Sequence, residues 1–406
     1  MRNFTFKGLF LTAVFALLGC LSIQAADDDL ITKQITIKLD KAGTLPDRID
    51  ASKKYLITNL KLVGEINGTD WKMIREMAGS NYNGYSTEGK LSTLDLSEAK
   101  IVKGGDSYYS GDNCYTSNDE IGEYAFHDCS GLTSLTLPAG ITSISDCAFE
   151  GCSGLTSLTL PAGITSIGCR AFSYCSGLTS LNLPDGITSI NYGSFSGCSG
   201  LTSLTLPAGI TSIGSRAFAD CSGLTSLTLP AGITSISDCT FAYCSGLTSL
   251  TLPAGITSIS DCAFEDCSGL TSLTLPAGIT SIGISAFYGC SGLTSLNLPD
   301  GITSINYGTF SGCSGLTSLT LPAGITSIGS RAFYGCSGLT SINIPASVTK
   351  IEDSAFLLCS GLTSLTLPDG ITSINYGTFW SCSGLTSINI PASVTKIEFS
   401  AFEGCI

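Results

Sequence analysis

The sequence predicts a β-rich solenoid of short, near-identical coils behind an α+β cap, and three observations carry that prediction. Cysteine recurs every 23 residues, at 129, 152, 175, 198, 221, 244, 267, 290, 313, 336, 359, 382 and 405. Between successive cysteines the apolar residues keep one frame. A proline then follows the third apolar residue of every repeat, usually with glycine two residues later. Self-similarity at a fixed period of this length marks a repeat architecture, and it overrides the multi-domain expectation set by 406 residues.

Composition agrees. Charged residues are only 13% of the chain, with 47 glycines, 19 cysteines and an ordinary apolar fraction of 43%. The net charge is -13. That balance excludes nucleic acid as a partner, because phosphate binding needs clustered Lys and Arg. It also excludes electrostatic docking on anionic lipid, leaving a lipid anchor as the only membrane contact to consider.

Residues 1–25 read as an export signal, with basic Arg2 and Lys7 ahead of the apolar run Leu9 to Leu18. The run is too short for a comfortable membrane span. Two cleavage readings stay open. Ile23-Gln24-Ala25 resembles a signal peptidase site, whereas Leu17-Leu18-Gly19-Cys20 resembles a lipobox that would lipidate Cys20. Either way the expected location is extracellular or at the cell surface, as a secreted protein or an outer-membrane lipoprotein.

Residues 27–118 form the capping region. Gln34 to Leu39 alternates and predicts a strand. Ile57, Leu60 and Leu62 repeat the repeat-like spacing, as do Leu91, Leu94 and Leu96, so two irregular leading coils are expected. Between them Thr69 or Asp70 would N-cap a short helix running through Ala78, with Gly79 at its end. Trp71, Ile74 and Ala78 share one face, which suits a helix covering the open end of a solenoid. Residues 99–118 are polar and rich in Gly and Tyr, and read as a loop. Ligand contact through Tyr108, Tyr109 and Tyr115 is the alternative.

Residues 119–406 are the solenoid, with twelve full repeats over 129–404. The first reads CSGLTSLTLPAGITSISDCAFEG. With its Cys as position 1, apolar residues fall at 4, 7, 9, 13, 16 and 21, and a small residue stands at 20. Leu135 and Leu137 alternate with Ser134 and Thr136, a period of two and hence a strand. Pro138 blocks further pairing and Gly140 permits a turn. Ile141 to Ile144 forms a second short extended piece, and Ala148-Phe149 completes the coil. A single coil cannot bury both its faces, so stability must come from stacking.

The pattern C-x-x-L-x-x-L-x-L-P-x-x-I-x-x-I-x-x-x-A-F-x-x-C resembles the BspA-like, or Treponema pallidum type, leucine-rich-repeat family over about two-thirds of the chain. The resemblance implies a right-handed leucine-rich-repeat superhelix on an exported bacterial protein. It also implies a non-catalytic, adhesin-like activity toward a protein or glycan on a host or bacterial surface. No ligand is specified. The cap region is more weakly similar to N-terminal segments of such proteins from gut Bacteroidetes.

Candidate sites divide by position. The in-phase cysteines read as buried free thiols behaving as small hydrophobes. Cys239 and Cys262 occupy the same position in adjacent coils and are the candidate disulfide. Zinc would need convergent ligands and usually histidine, and His127 is the only histidine, so no metal or cofactor is expected. A Ser-His-Asp site could use only His127, which reads instead as part of a solvated edge beside Asp128. Pairs such as Glu265-Asp266 and Glu352-Asp353 read as solubilising charge, so no catalytic residue is assigned. An enzyme site hidden in residues 27–118 remains a remote alternative.

Two surfaces compete for ligand contact. Positions 5 and 6 are Thr and Ser in every repeat, and position 8 is Thr or Asn, the asparagines being Asn182, Asn297, Asn343 and Asn389. This row reads first as strand propensity with cross-coil hydrogen bonding, and second as a contact face. An ice-binding array is disfavoured by the Asn interruptions. Positions 17–19 and 22–23 vary while the core stays fixed. They supply Asn191-Tyr192, Asn306-Tyr307 and Asn375-Tyr376, with Arg170, Arg216 and Arg331. Tyr174, Tyr243, Tyr288, Tyr334 and Trp380 add aromatics, and Tyr, Trp and Arg are the residues that anchor interfaces. Asn191 to Asn306 and Arg216 to Arg331 are both 115 residues apart. That is five repeats, which points to a duplicated block. The chain reaches Cys405-Ile406 as a thirteenth repeat begins. Either an exposed last coil or end-to-end pairing with a second copy would follow from that.

Overall fold

The computed structural model of the protein describes residues 29–111 and 114–405. The export signal and Cys20 therefore lie outside the described residues. Within them the chain is a parallel β-solenoid, as the 23-residue frame predicts.

The cap comprises β1 (Ile35–Leu39), α1 (Leu45–Arg48), β2 (Asn59–Ile66), α2 (Gly68–Met77) and β3 (Thr93–Ile101). The strands β1, β2 and β3 pair in parallel and in that order. Leu94 of β3 pairs with Leu135 of coil 1, so the cap continues the ladder of the repeats. Helix α2 begins two or three residues earlier than the sequence suggests. Asn67 is the N-cap and accepts from the Thr69 amide, while Asp70 reaches back to the Asn67 amide at 2.9 Å. Asp70 also accepts from the amides of Gly43 and Leu45, at 2.6 and 2.8 Å, which welds α1 to α2. Gly79, with φ +110°, turns the chain out of the helix.

The segment expected to be a loop is a folded hairpin. β4 (Gly104–Tyr109) and β5 (Cys114–Thr116) pair antiparallel, with Tyr108, Cys114 and Thr116 buried. The loop reading fails because three of the apparently polar side chains turn inward. The Tyr108 hydroxyl donates to the Glu123 carbonyl at 2.8 Å, and the Thr116 hydroxyl donates to the carbonyls of Val102 and Gly104.

In the repeats, positions 6–8 form the first ladder, positions 15–16 the second, and positions 17–23 a turn-rich third side. The apolar frame is buried in almost every coil. At position 21 the phenylalanines form one continuous column. From Phe126 to Phe402 successive rings lie 5.2–5.7 Å apart between centroids, with planes within 16° of parallel. Trp71 of α2 packs on Phe126 at 5.2 Å, so the cap helix closes the first end of that column.

The position-1 cysteines do more than fill space. Each thiol in coils 2 to 12 donates to the carbonyl of a phenylalanine in the preceding turn of the chain, at 3.0–3.1 Å. Examples are Cys152 to Phe126, Cys267 to Phe241 and Cys382 to Phe356. Burial pushes these thiols up, to about 12 for Cys198, Cys244 and Cys336, so they stay un-ionised at neutral pH and are poor nucleophiles.

The second ladder reveals two kinds of coil. In most, the backbone amide at position 17 donates to the position-16 carbonyl of the coil before, as Gly329 does to Ile305 at 2.8 Å. The ladder breaks between coils 2 and 3, 4 and 5, 7 and 8, and 10 and 11. At each break a position-17 side chain makes that bond instead. Asn191, Ser237, Asn306 and Asn375 donate to Ile167, Ile213, Ile282 and Ile351, at 2.8, 2.8, 2.6 and 2.8 Å. The same four coils carry a buried hydroxyl at position 20, where the others carry Ala. Ser194, Thr240, Thr309 and Thr378 donate back to the position-17 carbonyl at 2.8–3.0 Å. The two positions act as a pair, the hydroxyl holding the turned carbonyl and the side chain replacing the displaced amide. In a double-mutant cycle, Asn306→Gly and Thr309→Ala should each cost about 1–2 kcal/mol alone, because each leaves a buried partner unpaired. Together they should cost much less, since they recreate the Gly329/Ala332 arrangement. Additive losses in chemical denaturation would show that the positions are independent.

Candidate functional site

The third side of each coil is built the same way, and this determines what its side chains can do. Positions 19 and 23 sit in the left-handed region, with φ between +52° and +76°. Alternate amides of this side donate to the next coil, as Arg170, Phe172 and Tyr174 do to Tyr192, Ser194 and Ser196 at 2.8, 2.9 and 2.7 Å. The amides between them bond within their own coil, as Ser173 does to the Arg170 carbonyl at 3.0 Å, so backbone bonds hold this side and the side chains at positions 18, 19, 22 and 23 are left to vary.

The structure gathers the predicted residues of this edge into three groups. In coils 2 to 4 the Arg170 guanidinium stands 5.7 Å from the centre of the Tyr192 ring, and Tyr174 and Arg216 complete a shallow cleft of about 100 Å3. In coils 7 to 10 the Tyr307 hydroxyl lies 3.3 Å from the Arg331 guanidinium. Tyr288, Tyr334 and Leu357 close a larger cleft of about 340 Å3 around them. In coils 11 and 12 the Tyr376 ring meets Trp380 edge-on at 6.3 Å and stacks on Phe399 at 6.3 Å. The first two groups share the Tyr and Arg of the five-coil duplication but not their surroundings. Ser173 and Ala219 become Tyr288 and Tyr334, while Arg170 and Tyr174 become Ser285 and Gly289. The copies have diverged on the exposed positions, and the second is the more aromatic.

Not every residue that the sequence singles out belongs to this edge. Asn191, Asn306 and Asn375 are turned into the stack, as described above. Asn182 and Asn297 lie on the first ladder, paired in register with Thr205 and Thr320, and are separated from the Tyr and Arg groups by the proline turn and the second ladder. On that ladder the position-5 threonines bond to the preceding coil, as Thr317 does to the Thr294 carbonyl at 3.2 Å. That supports the cross-coil reading at position 5. Cys239 and Cys262 are partly exposed in coils 5 and 6.

Two features escape sequence reasoning. The hairpin of β4 and β5 overhangs the second ladder and forms a cleft of about 730 Å3, lined by Tyr108, Tyr115, Glu120, Glu123, Asp146 and Asn191 among others. The Gly and Tyr content of residues 99–118 was its only signal. His127 is not on a solvated edge. Its ring packs against Tyr109 and Tyr124 at 5.6 and 5.4 Å, and only 18% of its side chain is exposed. Its Nδ1 lies 3.2 Å from the Asp128 carboxylate.

Burial holds the His127 pKa below 6.5, with Arg75 acting in the same direction and Asp128 and Glu150 opposing. The folded protein therefore favours the neutral ring. As pH falls below about 6.5 the unfolded chain takes up this proton first, so stability declines until the folded-state pKa is passed and then levels off. Replacing the imidazole, as in His127→Gln, should remove that component from denaturation midpoints measured across this window. An unchanged pH profile would show that the ring titrates as freely as in the unfolded chain.

Among the described residues no group of three or more His, Cys, Asp or Glu is placed to hold a metal ion. No helix there is long and apolar enough to cross a membrane.

Comparison with known proteins adds the following. A family model described as the BspA type leucine-rich-repeat region matches in six copies, over residues 119–248, 211–308 and 280–406. A solved leucine-rich-repeat protein from Bacteroides ovatus is 30% identical, with 66% of this chain and 80% of that one covered at a TM-score of 0.50. A leucine-rich cell surface protein from Faecalibacterium prausnitzii is 29% identical over 79% of this chain and 86% of its own, also at 0.50. A leucine-rich-repeat protein from Eubacterium ventriosum, 23% identical over 78% and 83%, shares the fold at 0.50. No curated protein matches the sequence.

Proposed function

Because the chain belongs to the BspA-type leucine-rich-repeat family, we propose that it is a non-catalytic binding protein of the bacterial cell surface. It would contact a protein or glycan through the Tyr/Arg edge of its solenoid. The observation that carries this reading is the contrast within each coil. The core and two ladders repeat with little change, while the third side varies and collects Tyr and Arg into clefts and Trp380 into an aromatic group. Large rigid aromatics and a planar guanidinium give contact area and directional hydrogen bonds at low entropic cost. The cell-surface description of the Faecalibacterium protein and the signal-like residues 1–25 support the location.

Purified protein tested on arrays of matrix proteins, glycans and bacterial surfaces should give saturable binding. Combining Tyr307→Ala with Arg331→Ala should weaken it about tenfold or more. A Tyr115→Ala control at the hairpin cleft should leave binding unchanged. Absence of saturable binding, with mass in light scattering that grows with concentration, would replace this reading by that of a self-associating structural array.

A further inference from the structure

The structure assigns Cys239 and Cys262 as a surface dithiol that closes to a disulfide between coils 5 and 6 when it meets a small-molecule disulfide. Both cysteines stand at position 19. Their coils are in register, with Ser235 paired to Ser258 and Ile236 to Ile259, and the Cys239 amide donates to the Asp261 carbonyl at 2.9 Å. Parallel pairing at about 4.8 Å sets their Cα atoms within the range of roughly 4.4–6.8 Å that a disulfide spans. Each has φ +53°, so the two Cα–Cβ bonds leave the stack from the same backbone conformation. Both are free thiols, partly exposed on the same side of the stack.

The other cysteines differ in a way that matters. The position-1 thiols point at phenylalanine carbonyls rather than at one another, although their Cα spacing is the same. Cys147 also stands at position 19, but its counterpart in the next coil is Arg170, and its thiol engages Glu150 and Tyr124. Proximity is therefore common in this solenoid, whereas among the described residues two partly exposed thiols at the same position of adjacent coils are found at Cys239 and Cys262.

The chemistry follows from the neighbours. Burial raises the pKa of both thiols. Arg216 draws Cys239 back down, while burial, reinforced by the nearby Glu265 carboxylate, pushes Cys262 up to about 12. Arg216 therefore favours Cys239 as the attacking thiolate. Its thiolate attacks one sulfur of the oxidant R–S–S–R, expelling one RS⁻ and leaving a mixed disulfide on Cys239. Cys262 then passes its proton to the RS⁻ already released and, held beside the mixed disulfide, attacks the Cys239 sulfur, expelling the second RS⁻. Two electrons pass to the oxidant, which ends as two thiols, and the protein loses two hydrogens. The bond fixes the spacing of coils 5 and 6, beside the ladder break that Ser237 bridges between coils 4 and 5. It also lies between the Tyr192 and Tyr307 clefts.

The test treats the full-length protein with oxidised glutathione, alkylates the remaining thiols and maps the peptides by mass spectrometry. The expected result is a peptide pair joined through Cys239 and Cys262 in a chain lighter by two hydrogens. Cys262→Ser should instead retain glutathione on Cys239, because the resolving thiol is gone. Both cysteines recovered alkylated, both recovered carrying glutathione, or either one joined to Cys169 would overturn the assignment. The outcome is independent of whether the Tyr/Arg edge binds a ligand.

Discussion

Phe264→Ala is expected to destabilise the solenoid by about 3–5 kcal/mol, the range for removing a buried aromatic whose cavity cannot collapse. Phe264 is fully buried, with neighbouring rings at 5.5 and 5.4 Å above and below. The backbone cannot close the gap. The Phe264 amide is bonded to the Ala286 carbonyl, and its own carbonyl accepts from the Cys290 thiol at 3.0 Å. Repeat proteins couple each unit only to its neighbours, so the loss falls on the interfaces of coil 6 with coils 5 and 7. Hydrogen exchange should accelerate there first, with coils 2 and 11 nearly unchanged. Phe264→Leu, which keeps most of the volume, should cost under about 1.5 kcal/mol. A loss below about 1 kcal/mol for the alanine variant, or one spread evenly along the chain, would mean that the ring column is incidental to stacking.

The second large effect is expected at Arg75. This side chain on α2 is fully buried. Its guanidinium donates to the carbonyls of Tyr124, Ala125 and His127 and to the Ser80 hydroxyl, and it faces the Tyr109 ring at 5.1 Å. It thus ties the cap helix to the half-coil before coil 1, beside the Trp71 indole, which donates to the same Ala125 carbonyl at 2.8 Å. Arg75→Met should cost about 3–5 kcal/mol, because several carbonyls lose their donors together in a buried site. Arg75→Lys should rescue little, since one ammonium cannot reproduce a planar fork that reaches both sides. Limited proteolysis is the direct readout, and cleavage should appear between residues 99 and 128 while the repeats remain resistant. Wild-type resistance in Arg75→Met would show that packing of α2 alone holds the cap.

The sequence by itself determined the coil. Leu135, Leu137, Ile141, Ile144 and Phe149 declare a 23-residue frame through their spacing, and their burial follows because only one face of so short a coil can be covered. The cap helix was legible as well, from Trp71, Ile74 and Ala78 on one stripe and Gly79 at its end. Its N-cap was placed two or three residues late, because Asn67 competes with Thr69 and Asp70 as a capping residue and only the backbone shows which one is used. The co-occurrence of Asn306 with Thr309, and of Ser237 with Thr240, was present in the letters. Its meaning depends on which way a peptide turns.

Tertiary structure alone decided what depends on neighbours distant along the chain. Arg75 finds its partners only when the carbonyls of Tyr124, Ala125 and His127 are brought to it. Tyr108 and Thr116 read as loop residues until the hairpin folds over the second ladder. The Tyr/Arg clefts each combine side chains from three or four coils, so no single repeat contains one. The physical reason is common to all of these cases. Hydrophobic periodicity is a local property that the chain carries with it, whereas a hydrogen-bond partner or a cleft is shared between segments that only stacking brings together.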